Sequence, residues 1–242
     1  MRLGKWIVVS TMIVAAPLLA HEVEEETGPV SPWSGNVRLG YLATSGNTDT
    51  ANMSGAFDIE YALEKWTHSF DAAAIKASEN NRSTAEAFIA GWKSERSLTD
   101  ANFLFGRLDW RKDRFSGFDT QFSQTVGYGH RLIDNDKHSL NGELGIGARQ
   151  SDLADGSSQS ETILTGGLYY KWAFSETAEF TQDLLIEAGD ENTYSMSRTA
   201  LTATLVGDLA LVVSYTIKNN SDVPLGNEKT DTFTALSLEY GF

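Results

Sequence analysis

The chain has 242 residues, with 33 acids against 19 Lys and Arg and a formal net charge of -14, so it lacks the clustered basic surplus that nucleic-acid phosphates demand. It has no cysteine, which excludes disulfides and thiolate metal sites. Mean hydropathy is -0.27, but such an average hides any strand that is apolar on one face and polar on the other.

Residues 1–20 read as a secretory signal peptide. Arg2 and Lys5 supply the positive start, residues 6–16 the apolar run, and Pro17-Leu18-Leu19-Ala20 leads into an abrupt acidic switch, His21-Glu22-Val23-Glu24-Glu25-Glu26. The apolar run is shorter than the ~20 residues that a membrane-spanning helix needs. Cleavage there removes two cations and no acid, taking the charge from -14 to -16. Residues 21–33 form a short acidic leader with Pro29 and Pro32, and residues 34–242 are the folded domain.

From Trp33 onward, segments of strict period-2 alternation repeat, each closed by a turn signal. In the first, Val37, Leu39, Tyr41 and Ala43 oppose Asn36, Arg38 and Gly40. In the second, Met53, Gly55, Phe57, Ile59 and Tyr61 oppose Ser54, Ala56, Asp58 and Glu60. Further on, Leu140, Gly142, Leu144, Ile146 and Ala148 oppose Asn141, Glu143, Gly145, Gly147 and Arg149. Leu164, Gly166, Leu168, Tyr170 and Trp172 then oppose Thr165, Gly167, Tyr169 and Lys171. Thr234, Leu236, Leu238, Tyr240 and Phe242 share the apolar parity of the last segment.

The count is about twelve, with polar connections at 45–50, 78–84, 112–118, 151–160, 189–194 and 219–229. Tight ones alternate with them at 63–65, 98–100, 133–137, 175–177 and 207–208. An even number of ~10-residue strands with long and short links in alternation predicts an all-β fold, a closed antiparallel transmembrane β-barrel of meander topology. A soluble sandwich of similar strand spacing would show no such parity in its links. None of the four prolines falls inside a strand, as full pairing requires. The ending Leu236, Leu238, Tyr240, Phe242 resembles the assembly signal of bacterial outer-membrane barrels, with Ser237 in place of its usual glycine. It implies the barrel-assembly machinery as a partner and both termini on the periplasmic side.

Several stretches resemble the YdiY-like outer-membrane proteins, a family usually labelled salt-induced. They are Gly40-Tyr41-Leu42-Ala43-Thr44-Ser45-Gly46-Asn47-Thr48-Asp49-Thr50, Glu64-Lys65-Trp66-Thr67-His68-Ser69, the run from Arg111 through Phe118, Val126-Gly127-Tyr128-Gly129-His130-Arg131-Leu132 and Leu144-Gly145-Ile146-Gly147. The resemblance spans essentially all of the chain after the signal segment. It implies a barrel in the outer membrane, a link to salt or osmotic stress in expression, and no established activity.

Chemistry is sparse. Ser45-Gly46-Asn47-Thr48 suits a hairpin turn, since Gly and Asn accept positive φ and the polar side chains can bond nearby amides. Arg111, Lys112 and Arg114 form the basic knot of an acidic chain. On an outer loop they can pair with lipopolysaccharide phosphates or with acidic loops beside them. The inward parity carries Arg38, Asp58, Arg107, Asp109, Arg131, Glu143, Arg149 and Asp183, and with them Asp71, Lys93, Lys171, Glu187 and Glu239. Mixed signs at this density predict a polar lumen, either a narrow water-filled pore or a plug of ion pairs. No catalytic, cofactor or metal site is predicted. Acidic runs at 152–156 and 189–192 are solvated or hold Ca²⁺ weakly. The enzymatic rival, an outer-membrane lipid hydrolase, needs His near Ser at the outer leaflet, whereas His68, His130 and His138 lie beside the tight turns. The leading expectation is a narrow passive pore for small hydrophilic solutes or ions, as a monomer among outer-membrane lipid and lipopolysaccharide. A sealed, envelope-stabilising barrel acting through its outer loops is the alternative.

Overall fold

The computed structural model describes residues 31–44, 50–80, 82–113, 118–153, 155–224 and 226–242. The signal segment and most of the acidic leader, the Ser45-Gly46-Asn47-Thr48 turn and Arg114 lie outside them. Twelve strands follow in chain order: β1 (Trp33–Thr44), β2 (Thr50–Ala62), β3 (Trp66–Glu79), β4 (Arg82–Ser97), β5 (Asn102–Asp113), β6 (Phe118–Asp134), β7 (His138–Leu153), β8 (Ser158–Ser175), β9 (Ala178–Gly189), β10 (Thr193–Val206), β11 (Leu209–Asn220) and β12 (Thr230–Gly241). Each pairs antiparallel with its neighbours in sequence, and β1 pairs with β12, so the sheet is a closed meander barrel. Fold class and strand number agree with the alternation.

The outward face is apolar and the inward face is polar, the reverse of a water-soluble protein. Along β7, Leu144 is 74% exposed while the adjacent Glu143 is 5% exposed. Leu39, Met53, Val126, Ile146, Leu164, Ile186 and Leu238 continue the exposed apolar belt around the wall. Aromatic rings gather toward the end of the barrel that carries both termini. His68 stacks between Trp66 and Trp92 and His138 against Tyr170 and Trp172, while Trp33 packs at a tilt against Tyr61. His130 Nδ1 lies 2.7 Å from Asn102 Oδ1. Amphipathic rings at this height suit a headgroup layer.

Two departures from the expected layout share one cause. The links opposite the termini shrink: 78–84 becomes 80–81, and 151–160 becomes 154–157, because polar segments continue the ladder as strand. Once pairing is established, each added rung satisfies two more backbone groups, so Ser, Thr and Gln extend strands that composition marks as loop. The last of these links, residues 221–229, stays long. Register shifts at Ala77/Ser78, Phe118/Thr120, Arg131/Ile133, Ala173/Ser175 and Thr204/Val206 are bulges near strand ends, which leaves mid-strand parity intact.

Inward glycines explain a piece of the sequence that alternation alone did not. Phe103 and Phe105 of β5 point into the lumen opposite Gly129 and Gly127 of β6. A Cβ on Gly129 would lie 2.1 Å from the Phe103 ring, and one on Gly127 would lie 2.6 Å from the Phe105 ring. The glycines are spaces that the rings occupy.

Closure falls on the shortest ladder. β1 and β12 share the pairs from Asn36↔Gly241 to Gly40↔Ser237, whereas β1 and β2 pair from Trp33↔Tyr61 to Thr44↔Thr50. Phe242 extends that seam by donating to and accepting from Gly35, both at 3.0 Å, and its ring covers the bare Gly35 on the outer face. Deleting Phe242 removes both bonds and the cover. The expected outcome is a lower yield of heat-modifiable barrel in outer-membrane fractions; an unchanged yield would show that the seam closes without it.

Candidate functional site

The lumen is divided. Across the β4–β10 side, long side chains reach from wall to wall and fill the space. Lys93 of β4 pairs with Glu143 of β7 and lies 2.6 Å from Glu95, with its ammonium 5.4 to 5.6 Å from the Phe103, Phe105 and Tyr169 rings. Arg107 of β5 donates to the Tyr169 hydroxyl of β8 at 2.8 Å and lies 3.8 Å from Glu143.

One level further from the termini, Arg111 of β5 forks onto Glu187 of β9 through two bonds of 2.9 and 2.6 Å, while its guanidinium stacks 4.2 Å from the Tyr194 ring of β10. Arg149 of β7 reaches the same Glu187 at 3.4 Å, Glu161 of β8 at 2.6 Å, and the Asn192 carbonyl. Arg149 and Glu187 are 0% and 1% exposed. A carboxylate held between two guanidiniums, with further bonds to each, meets the condition under which buried charge is tolerated.

This knot also holds the rim. Glu161 accepts the Glu191 N–H at 2.9 Å. The buried Asn192 donates to Asn220 at 2.8 Å and accepts from the Asp222 N–H at 3.1 Å. The start of the long β11–β12 link is thereby fastened over the filled half of the mouth.

Along the other side the inner wall is built from small residues. Gly40, Ser54, Ala56, Ala73, Ala235 and Ser237 line a cavity of about 150 Å³ between β1–β4 and β10–β12. Toward the termini, Arg38 pairs with Asp58 and lies 3.3 Å from Glu239. Away from them, a 20 Å³ space beside Arg111, Tyr194 and Asp231 shares Ile89 and Lys218 with the cavity, which marks a constriction between the two.

Most of the inward residues read from parity face this interior. Asp109 lies between Arg107 and Arg111 on β5, with one carboxylate oxygen buried and without a hydrogen bond. Asp183, on the inward parity of β9, is half-buried. Arg131 sits at the terminal rim, bonded to the Asp100 carbonyl and stacked on Phe103, and Lys171 is exposed there with Glu179 at 2.5 Å. Arg111 requires correction. Expected on an outer loop, it lies within β5 with its charge spent on Glu187, because the strand extends to Asp113 and the parity at Arg111 is inward. Lys112 is exposed near Asp119 at 4.0 Å. Tyr169, Tyr194, Arg198 and Lys218 were not read as site residues. In β10 the outward positions Ser195, Ser197 and Thr199 are polar, so no apolar parity marks the inward side.

Residues 37–242 match a family described as Protein of unknown function, DUF481. The chain belongs to the DUF481 family. The Uncharacterized protein YdiY of Escherichia coli (strain K12) is 31% identical over 219 residues, covering 90% of this chain and 86% of that one. Among solved structures, this DUF481 barrel is similar to the COG4313 outer membrane channel from Pseudomonas putida F1 (TM-score 0.52, 11% identity, 91% of this chain and 100% of that one). It is also similar to the translocator domain of the autotransporter NalP from Neisseria meningitidis (0.51, 12%, 90% and 90%), and to the NanC porin (0.50, 10%, 86% and 97%). The likeness is one of fold, a membrane barrel shared by proteins of different tasks.

Glu187 is the shared acid of the DUF481 knot. Replacing it (Glu187→Ala) strands Arg111 as a buried cation and leaves Arg149 with Glu161 alone, an expected loss of about 3–5 kcal/mol. Urea unfolding of the detergent-folded barrel, followed by tryptophan fluorescence, measures it; a loss under about 1 kcal/mol would mean that the knot is solvated.

Proposed function

We propose that this protein is an outer-membrane barrel whose lumen forms a narrow, off-centre passive pore for small hydrophilic solutes or ions. Residues 1–20 direct export, and the termini and tight turns face the periplasm. The observation that carries the reading is the split interior. Large ion-paired side chains occupy one half, while small residues hold a cavity open along the other, with Arg38, Asp58 and Glu239 toward the termini. A barrel of ~8 strands is filled by its side chains and one of 16–18 leaves an aqueous channel, so twelve strands with half the bore filled leave a passage of small-solute width. The proposed role is non-enzymatic. Lys112, near the end of β5, and Arg114, two residues further in sequence, are proposed contacts for lipopolysaccharide phosphates, and Leu236, Leu238, Tyr240 and Phe242 for the assembly machinery.

The constriction at Ile89 and Lys218, together with the fastened loop over Asn192, favours a second reading, a sealed barrel that acts through its outer surface. Planar-bilayer recording separates the two. Discrete conductance steps that fall severalfold in an Ala235→Trp variant, whose indole fills the cavity, are the expected result. A silent bilayer from well-folded protein would establish the sealed barrel. Lipid release abolished by changing one Ser or His would overturn both.

A further inference from the structure

The cavity along the small-residue wall has an unexpected sign. In a chain with net charge -14, the residues lining it include three cations and no Asp or Glu. Arg38 is neutralised by Asp58 and Glu239. Arg198 and Lys218 are not: among the described residues, neither makes an ion pair or hydrogen bond, and the Lys218 ammonium lies 5.2 Å from the Phe233 ring. Lys218 is 7% exposed.

Acids do stand nearby. Asp183, Asp58 and Glu239 act on Arg198 from the terminal side, and Asp113 and Asp231 act on Lys218 from the other, yet none of these five lines the cavity. A buried cation facing an empty space lacks the partner that burial ordinarily requires.

Register places the two residues on one wall of the cavity. Arg198 pairs across β10–β11 with Thr216, and Lys218 with Met196, so the cations are diagonal neighbours on one inward face. That relation separates their backbones by ~7–8 Å, and both side chains line the same cavity, Arg198 nearer its terminal end and Lys218 nearer the other, so a small group seated between them lies within reach of each. Hydroxyls of Ser54, Ser214, Thr216 and Ser237 complete the lining. A planar guanidinium, an ammonium and several hydroxyl donors are the usual equipment for an oxyanion.

We propose that this cavity is a binding site for a small oxyanion, a carboxylate or phosphate group, held between Arg198 and Lys218. As a station on a transport path the site rests on the pore reading; as a binding site it does not. The acidic groups at its two ends repel free anions, so occupancy depends on the pair of cations, and an anion crosses by exchanging water for their bonds.

The test is calorimetric titration of the refolded full barrel in neutral detergent with inorganic phosphate and, separately, with acetate. Saturable binding of phosphate alone, acetate alone or both supports the site and assigns its class. Arg198→Gln and Lys218→Met should each weaken binding about tenfold, the size of one charge-assisted bond. Arg198→Lys should restore most of the affinity, and Lys137→Met, on a tight turn, should leave it unchanged. Where the charge variants fail to give heat-modifiable barrel, Thr216→Val and Ser214→Ala keep the fold and should weaken binding severalfold. No saturable binding of either anion, or affinities unaltered by these substitutions, overturns the proposal. Bilayer recordings on the same preparations keep the two ideas apart. Phosphate binding with a silent bilayer removes the pore and leaves the site, whereas conductance without anion binding removes the site and leaves the pore.

Discussion

Lipid offers no hydrogen bonds, and this constraint governs the rest of the structure. Every strand must find a partner on both sides, so a sheet that enters a bilayer has to close. Here closure falls on the β1–β12 ladder, the shortest in the wall, with Phe242 adding its backbone to Gly35 and its ring to the outer surface. Closing the sheet in turn dictates the inverted pattern, with Leu144 outside and Glu143 inside one residue away. Once charges are forced inward, they must be paired or wet, and here ion pairs fill one side while a cavity persists along the other.

That division follows from side-chain size. Phe103, Phe105 and Tyr169 bring bulk into the β5–β8 side, and glycines on β6 make room for two of the rings. Across that side Arg107, Arg111 and Arg149 find carboxylates as partners. Gly40, Ser54, Ala56, Ala73, Ala235 and Ser237 cannot reach across, so the space before them persists. No plug domain is needed to give the bore its shape.

Period-2 alternation made the architecture legible before any coordinates: strand number, connectivity and the inward set from Arg38 to Glu239 follow from parity. Parity says which face a residue occupies but not what it meets across the lumen, so the convergence of Arg111 and Arg149 on Glu187 could not be read from it. It also fails where strand and loop share a composition. Arg111 to Asp113 read as loop because they are charged, yet β5 continues through them. In β10 the bonds of Gln182 to Ser197 and Thr199 satisfy polar groups on the outer face, and this erased the contrast that would have revealed Arg198.

The cross-lumen bonds have a mechanical meaning as well. Struts from β4 to β7, β5 to β8, β5 to β9 and β7 to β9 triangulate one half of the cylinder, and among the described residues nothing comparable spans the half that includes the β1–β12 seam. A tube stiffened on one side yields on the other. A load applied from the side therefore deforms the half beside the β1–β12 seam before the half that the struts hold.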